Sequence, residues 1–200
     1  MNFLLLQVWG GGFYLANKIL LSVAEGRVEA DRLKIWGWAF YLLGLPAWII
    51  ILVTKQDWIA AAIEVGGAPS MVLGLMIAFR KGNSLPAVLD KFAMIFAYIL
   101  IFGGTSYSIY IHGGITSLTQ VLEVGVMAGF LGGTYLLAKN SRSGWLLFMI
   151  MNSSMGLLMY LQGSLILAAQ QAISLLFVFY GYYQASNRPK IELIDELSIF

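Results

Sequence analysis

Three ionisable side chains stand in stretches that are otherwise apolar: Lys18, Glu64 and Glu123. A carboxylate in such a setting attracts a cation, or as the neutral acid donates a hydrogen bond to a neighbouring helix. Asn152 adds an amide that both donates and accepts, which suits a sugar hydroxyl or a carboxamide. Gln120 and Gln170 are further polar groups inside apolar runs, with Asn17, Ser153, Ser154 and Gln171 beside them. Trp38, Tyr41 and Trp145 supply aromatic faces, which stack on flat rings and attract cations through the ring quadrupole. Each residue also has a plain structural reading. Lys18 can snorkel to a headgroup layer, and carboxyls and amides can tie helices together.

What is missing narrows the chemistry. The chain has no cysteine and a single histidine, His112. There is no Walker A sequence, no HExxH pair and no Ser/His/acid set. No enzymatic activity, metal or cofactor is expected, and the small net charge of +2 offers nothing for nucleic acid.

The elements that must position these residues are membrane helices. Hydrophobic residues make up 60% of the chain and charged residues 11%. A soluble domain needs roughly 25% charged residues to face water, so the solvent for this chain is lipid. A crossing helix takes about 20 apolar residues. Seven runs of that kind fall at 3–24, 33–53, 58–79, 92–111, 116–137, 144–161 and 164–184. They are long and continuously apolar, unlike the short alternating strands of an outer-membrane barrel. The first run has no basic segment before it, so it reads as a retained helix rather than a cleaved signal. The expected fold is an all-α membrane protein forming one transmembrane domain over 1–200, with a cytoplasmic tail at 185–200.

Lysine and arginine are divided sharply between the two faces. The loops after runs one, three, five and seven hold Arg27, Arg32, Lys34, Arg80, Lys81, Lys91, Lys139, Arg142, Arg188 and Lys190, whereas the opposite face holds Lys55 alone. Basic loops stay in the cytoplasm. The expected location is therefore the cell (inner) membrane, with the N-terminus outside and the C-terminus inside. Glu64 and Glu123 each lie about seven residues, roughly 10 Å, into a helix that starts at the outer face. That equal depth is expected to place them in one cavity able to draw in a cationic solute.

Shifting the sequence by 106 or 107 residues lays runs two and three over runs six and seven. Trp38 then meets Trp145, Gln56 meets Gln162 and Glu64 meets Gln170. The implied arrangement is 3+1+3: a first triple-helix repeat at about 3–79, a linker helix at about 92–111 and a second, parallel repeat at about 116–184. Parallel repeats related by an axis along the membrane normal occur in transporters, with the substrate between the halves. Gly66, Ser70 and Gly74, and likewise Gly125, Gly129 and Gly133, recur at spacing four and read as close helix contacts.

Run six contains Trp145, Phe148 and Asn152, and run seven ends with Tyr180 and Tyr183. This resembles the PnuC-type vitamin transporters, whose signature is WxxWxxxN followed by YxxY near the end of the last helix. Phe148 replaces the second tryptophan. The resemblance implies a SWEET-like seven-helix fold and facilitated diffusion of a vitamin, trapped after entry by a cytoplasmic kinase. It implies nicotinamide riboside as substrate, or thiamine or riboflavin, with a SWEET-like sugar as the alternative. It also implies that Trp145 and Asn152 line the site. The expected substrate-binding set is Trp145, Phe148, Asn152, Trp38, Tyr41, Glu64, Glu123, Gln120, Gln170, Tyr180 and Tyr183. The expected partners are the vitamin, the bilayer and the downstream kinase, with self-association of copies allowed.

The charge division makes a direct prediction. Because the chain has no cysteine, Thr116→Cys should react with a membrane-impermeant maleimide on intact cells, and Ser141→Cys only after the cells are opened. The reverse labelling pattern would overturn the orientation.

Overall fold

Within lipid a backbone amide finds no water, so each crossing segment must satisfy its own hydrogen bonds as a helix. The chain, seen in a computed structural model, follows that rule. The structure describes residues 3–25, 27, 30–54, 58–80 and 87–187. The described residues form seven helices: α1 (Phe3–Ala24), α2 (Asp31–Thr54), α3 (Trp58–Phe79), α4 (Ala87–His112), α5 (Leu118–Ala138), α6 (Ser143–Leu161) and α7 (Leu165–Ser186). All seven are long and apolar enough to cross a membrane. Lys55, Lys81, Arg188, Lys190 and the rest of the expected tail from residue 188 lie outside the described residues.

Six of the seven helices begin and end within two residues of the hydropathy reading. The exception is α4, which begins at Ala87 rather than near 92 and carries Asp90 and Lys91 inside its first turns. Hydropathy marks where lipid ends, whereas a helix continues until its hydrogen bonding is interrupted. Asp90 is held in the helix by the Tyr135 hydroxyl of α5 at 3.0 Å and by Nζ of Lys139, the residue that caps α5, at 2.7 Å.

Turn chemistry sets the other ends. Ser117 caps α5 by accepting from the Gln120 amide at 3.2 Å. Asn140 stops α5 by adopting a left-handed φ of 55°, a conformation an asparagine tolerates. Its side chain accepts from Lys34 Nζ at 2.7 Å, which ties the α5–α6 turn to the start of α2. Lys34, Lys139 and Asp90 therefore gather at one end of the bundle.

The helix neighbours define a ring. In order around it, α1 packs on α2, α2 on α3, α3 on α5, α5 on α6, α6 on α7, and α7 returns to α1; α4 lies outside against α3 and α5. On α4 only Ala93 and Ala97 are buried, while Phe92, Ile99, Phe102 and Tyr110 face outward, as lipid contact requires. Side chains from across the ring fill its interior: Tyr41 of α2 meets Phe130 of α5 and Phe148 of α6 edge-on.

Lipid removes the hydrophobic drive between helices, so close approach and dispersion must hold them. Glycine provides that approach here. Gly129 lies against the backbone of Leu147 and Met151, and Gly144 against that of Leu137. Gly133 faces the Phe148 ring, Gly74 the Trp38 indole and Gly181 the Trp145 indole. The small-residue stripe on α5 is thus a packing surface for α6.

A methyl group at Gly144 would come 2.6 Å from the Leu137 amide nitrogen and 3.0 Å from the Gly133 oxygen, and backbone cannot step aside. Gly144→Ala should cost about 1–3 kcal/mol, the usual range for overpacking, and lower the melting temperature of the purified protein. Gly103→Ala, whose methyl meets nothing within 4 Å, should leave it unchanged. Equal melting of the two variants would contradict the described α5–α6 contact.

Candidate functional site

Among the described residues, a cluster of buried polar groups lies in the ring interior. Glu64 on α3 is 8% exposed and accepts a hydrogen bond from the Tyr14 hydroxyl of α1 at 2.5 Å. One turn along α1, Lys18 is 2% exposed. Its Nζ donates to Asn17 Oδ1 and to the Tyr41 hydroxyl, each at 3.3 Å. The same nitrogen lies 3.8 Å from the centre of the Phe148 ring and 4.3 Å from that of Tyr41. Asn17 donates to the Gly37 carbonyl at 2.9 Å, which fixes α1 on α2. Lys18 and Glu64 make no direct ion pair; Tyr14 and Tyr41, in edge contact with each other, hold one of them each.

Aromatic rings enclose this cluster. Tyr14 and Tyr41 meet edge-on with ring centres 4.7 Å apart. Trp38 stacks on Tyr41 at 6.1 Å and Trp145 stands perpendicular to Phe148 at 6.4 Å. Asn152 lies one turn along α6 from Phe148, fully buried. Its amide nitrogen donates to the Phe148 carbonyl at 2.7 Å, while among the described residues its Oδ1 has no partner. An unpaired buried acceptor costs about 1–3 kcal/mol, so Oδ1 is an acceptor held ready for a donor.

Of the expected site residues, Trp38, Tyr41, Glu64, Trp145, Phe148 and Asn152 come together here. The other five do not. Glu123 is exposed on α5 and lines a cavity of about 80 Å³ with Tyr107, Ser108 and His112, on the α4 side. Small-molecule sites run roughly 300–1,000 Å³, and Glu64 does not line the cavity of Glu123. Equal depth fixed their height in the membrane and said nothing of their direction around the helix axis.

Gln120 is spent on a local clamp. Its side chain binds Ser108, Gly114 and the Thr116 amide and so secures the α4–α5 turn. Gln170 is half-buried at the α1–α7 seam, donating to the Gly11 carbonyl at 3.1 Å; the adjacent Gln171 is the buried one. Tyr180 and Tyr183 stand on the outer surface of α7, at 44% and 64% exposure, and Gln184 donates to the Tyr180 hydroxyl.

Lys18 is the residue that sequence reasoning misassigned. Snorkelling would carry its amine toward the basic end of the bundle. A helical Cα–Cβ bond leans toward the helix N-terminus, and on α1 that direction leads away from the basic end and into the aromatic core. Tyr14 was missed because an isolated tyrosine in an aromatic-rich helix carries no pattern.

No family model, curated protein or solved structure matches this chain. The site is therefore read from its own geometry.

If Asn152 is kept for a ligand, the empty protein should not need it. Asn152→Leu should leave the melting temperature unchanged or raise it, since it removes an unpaired acceptor. A loss of more than about 1 kcal/mol would show the amide to be structural.

Proposed function

We propose that the chain is a membrane transporter carrying a small ring-bearing vitamin precursor by facilitated diffusion, with nicotinamide riboside as the first candidate substrate. The observation that carries this reading is the closed core in which Tyr14, Lys18, Glu64 and Asn152 are buried among stacked rings. Replacing buried charges with well-packed apolar residues is often neutral or stabilising, so an anchor or scaffold gains nothing from them. A ring-binding site does. Indole and phenol faces stack on the ring, Asn152 Oδ1 accepts from a carboxamide or hydroxyl, and Glu64 balances positive charge.

The fold is read as two parallel repeats, α1–α3 and α5–α7, joined by α4. Two observations support this. Exchanging α1, α2 and α3 for α5, α6 and α7 leaves the set of ring neighbours unchanged. Residues 107 positions apart also occupy like places: Trp38 on Gly74 and Trp145 on Gly181, with Tyr41 and Phe148 facing each other over Lys18. In α1 and α5 the shift becomes 116, pairing the Leu21–Gly37 contact with the Leu137–Gly144 contact. At the 107 shift the counterpart of Glu64 is Gln171 rather than Gln170, and Gln171 is the buried glutamine.

Transport follows by rocking of the two halves about this core, which opens it to one side and then the other. No coupling ion is required when a cytoplasmic kinase removes free substrate. In this reading the protein sits in the cell (inner) membrane with its N-terminus outside.

The test is calorimetry on purified protein with nicotinamide riboside, thiamine and riboflavin, alongside sugar flux in liposomes. Saturable riboside binding that disappears in Asn152→Ala is expected. Binding of thiamine or riboflavin instead would move the substrate within the same class. Binding of none of the three would end the vitamin reading, and glucose or sucrose flux would replace it with a sugar transporter.

A further inference from the structure

The seat that a cationic ring would take is already filled. Lys18 Nζ is 3.8 Å from the centre of the Phe148 ring and 4.3 Å from that of Tyr41. The two rings stand at 84° with centres 6.4 Å apart and form a corner around the ammonium. A cation over an aromatic face within about 6 Å is attracted by the ring quadrupole, most strongly where water is excluded. The residues of this corner are the ones that the transport reading gives to the substrate ring.

The ammonium is held there loosely. It has three donors and makes two hydrogen bonds, both at 3.3 Å, the long end for such contacts. One of the two goes to Asn17, its own chain neighbour. Glu64 makes no direct ion pair with it, and the Tyr14 hydroxyl, on a ring in edge contact with Tyr41, already occupies one carboxylate oxygen. An amine on a flexible stem, with a carboxylate nearby to move toward, is well suited to leaving its place.

We propose that Lys18 is a tethered occupant of the site: its ammonium holds the cation seat between Tyr41 and Phe148 in the closed, empty protein, and a ring-cation substrate binds by displacing it toward Glu64. This rests on the transport reading given above and adds a specificity-determining residue to it. The competition lowers the affinity for cationic rings selectively, because a neutral ring has no claim on that seat. It also keeps the empty core from standing open and hydrated between cycles.

Two probes that differ by one methyl group and one charge test this: 1-methylnicotinamide, a ring cation, and neutral nicotinamide. Their affinities are measured by calorimetry on the full-length protein, wild type and Lys18→Met, after both are shown to be monodisperse. Lys18→Met should tighten 1-methylnicotinamide by on the order of tenfold, the scale of one desolvated cation–π contact, and change nicotinamide less than twofold. In Lys18→Met/Phe148→Leu the gain should be lost, because it arises at the ring face. Should Lys18→Met not fold, Lys18→Gln takes its place with the same expectation.

An unchanged or weaker affinity for the cation, or an equal shift for both probes, overturns the proposal while leaving the transport reading intact. A gain that survives in the double variant shows charge acting at a distance and also overturns it. If neither probe binds wild type or variant, this inference falls, while the transport reading stands or falls on the calorimetry with nicotinamide riboside, thiamine and riboflavin.

Discussion

An amine inside a lipid-embedded bundle has no water to solvate it, and that constraint presses hardest at Lys18. The protein must supply its acceptors and its counter-charge from neighbouring helices. Asn17 and Tyr41 give oxygens, Tyr41 and Phe148 give ring faces, and Glu64 gives the opposing charge. Each of these groups is in turn fixed by something else. Asn17 is bound to the Gly37 carbonyl, Glu64 to the Tyr14 hydroxyl, and Tyr41 is hemmed by the rings of Tyr14, Trp38 and Phe130. Solvating one nitrogen thus enlists residues from α1, α2, α3, α5 and α6.

Those helices can converge only where their own backbones allow. Gly37 faces Leu21, Gly133 faces Phe148, and Gly144 and Gly129 meet neighbouring main chain. With lipid as apolar as any leucine, these short approaches and the dispersion they permit hold the ring together. The two buried indoles seated on Gly74 and Gly181 extend the same logic to α3 and α7. A bulky residue at either glycine would push its tryptophan onto Tyr41 or Phe148, so the packing of the helices and the shape of the site are one problem.

How much of this could be read in the sequence depended on the kind of signal. The seven helices were legible because lipid imposes a length and a composition on each. The start of α4 was not, because Asp90 is carried by Lys139 and Tyr135, contacts from another helix that no local window contains. Trp38 and Trp145, paired by the 107-residue shift and expected to line a site, are both buried in the structure. Depth along a helix was mistaken for position in a site at Glu123, and a motif match for an inward direction at Tyr180 and Tyr183. Rotation about the helix axis decides such cases, and an all-apolar helix carries too little hydrophobic contrast to reveal it. Lys18 turned on a finer matter, the lean of Cβ toward the helix N-terminus, and there the side chain ran against the expectation for a lysine near the basic end of the bundle.

Comparison of the two proposed repeats gives a reason for where the charges lie. Tyr14, Lys18, Tyr41 and Glu64 all belong to the first half, and their counterparts in the second are Phe130, Thr134, Phe148 and Gln171. The amine, the carboxylate and the two phenols of the site are thus all carried by α1, α2 and α3. If the halves rock against each other, Lys18 keeps Tyr41, Asn17 and Glu64 beside it throughout, and the only contact it exchanges is the face of Phe148. Splitting the amine and the carboxylate between the halves would separate opposite charges in a medium of low dielectric at every cycle, at a cost that grows steeply as the local dielectric falls. Confining Lys18 and Glu64 to one half leaves their side of the moving interface to the Phe148 face and the Asn152 amide; the charged groups that do reach across it, Glu25 to the Trp145 indole and Lys34 to Asn140, meet neutral partners there rather than opposite charges.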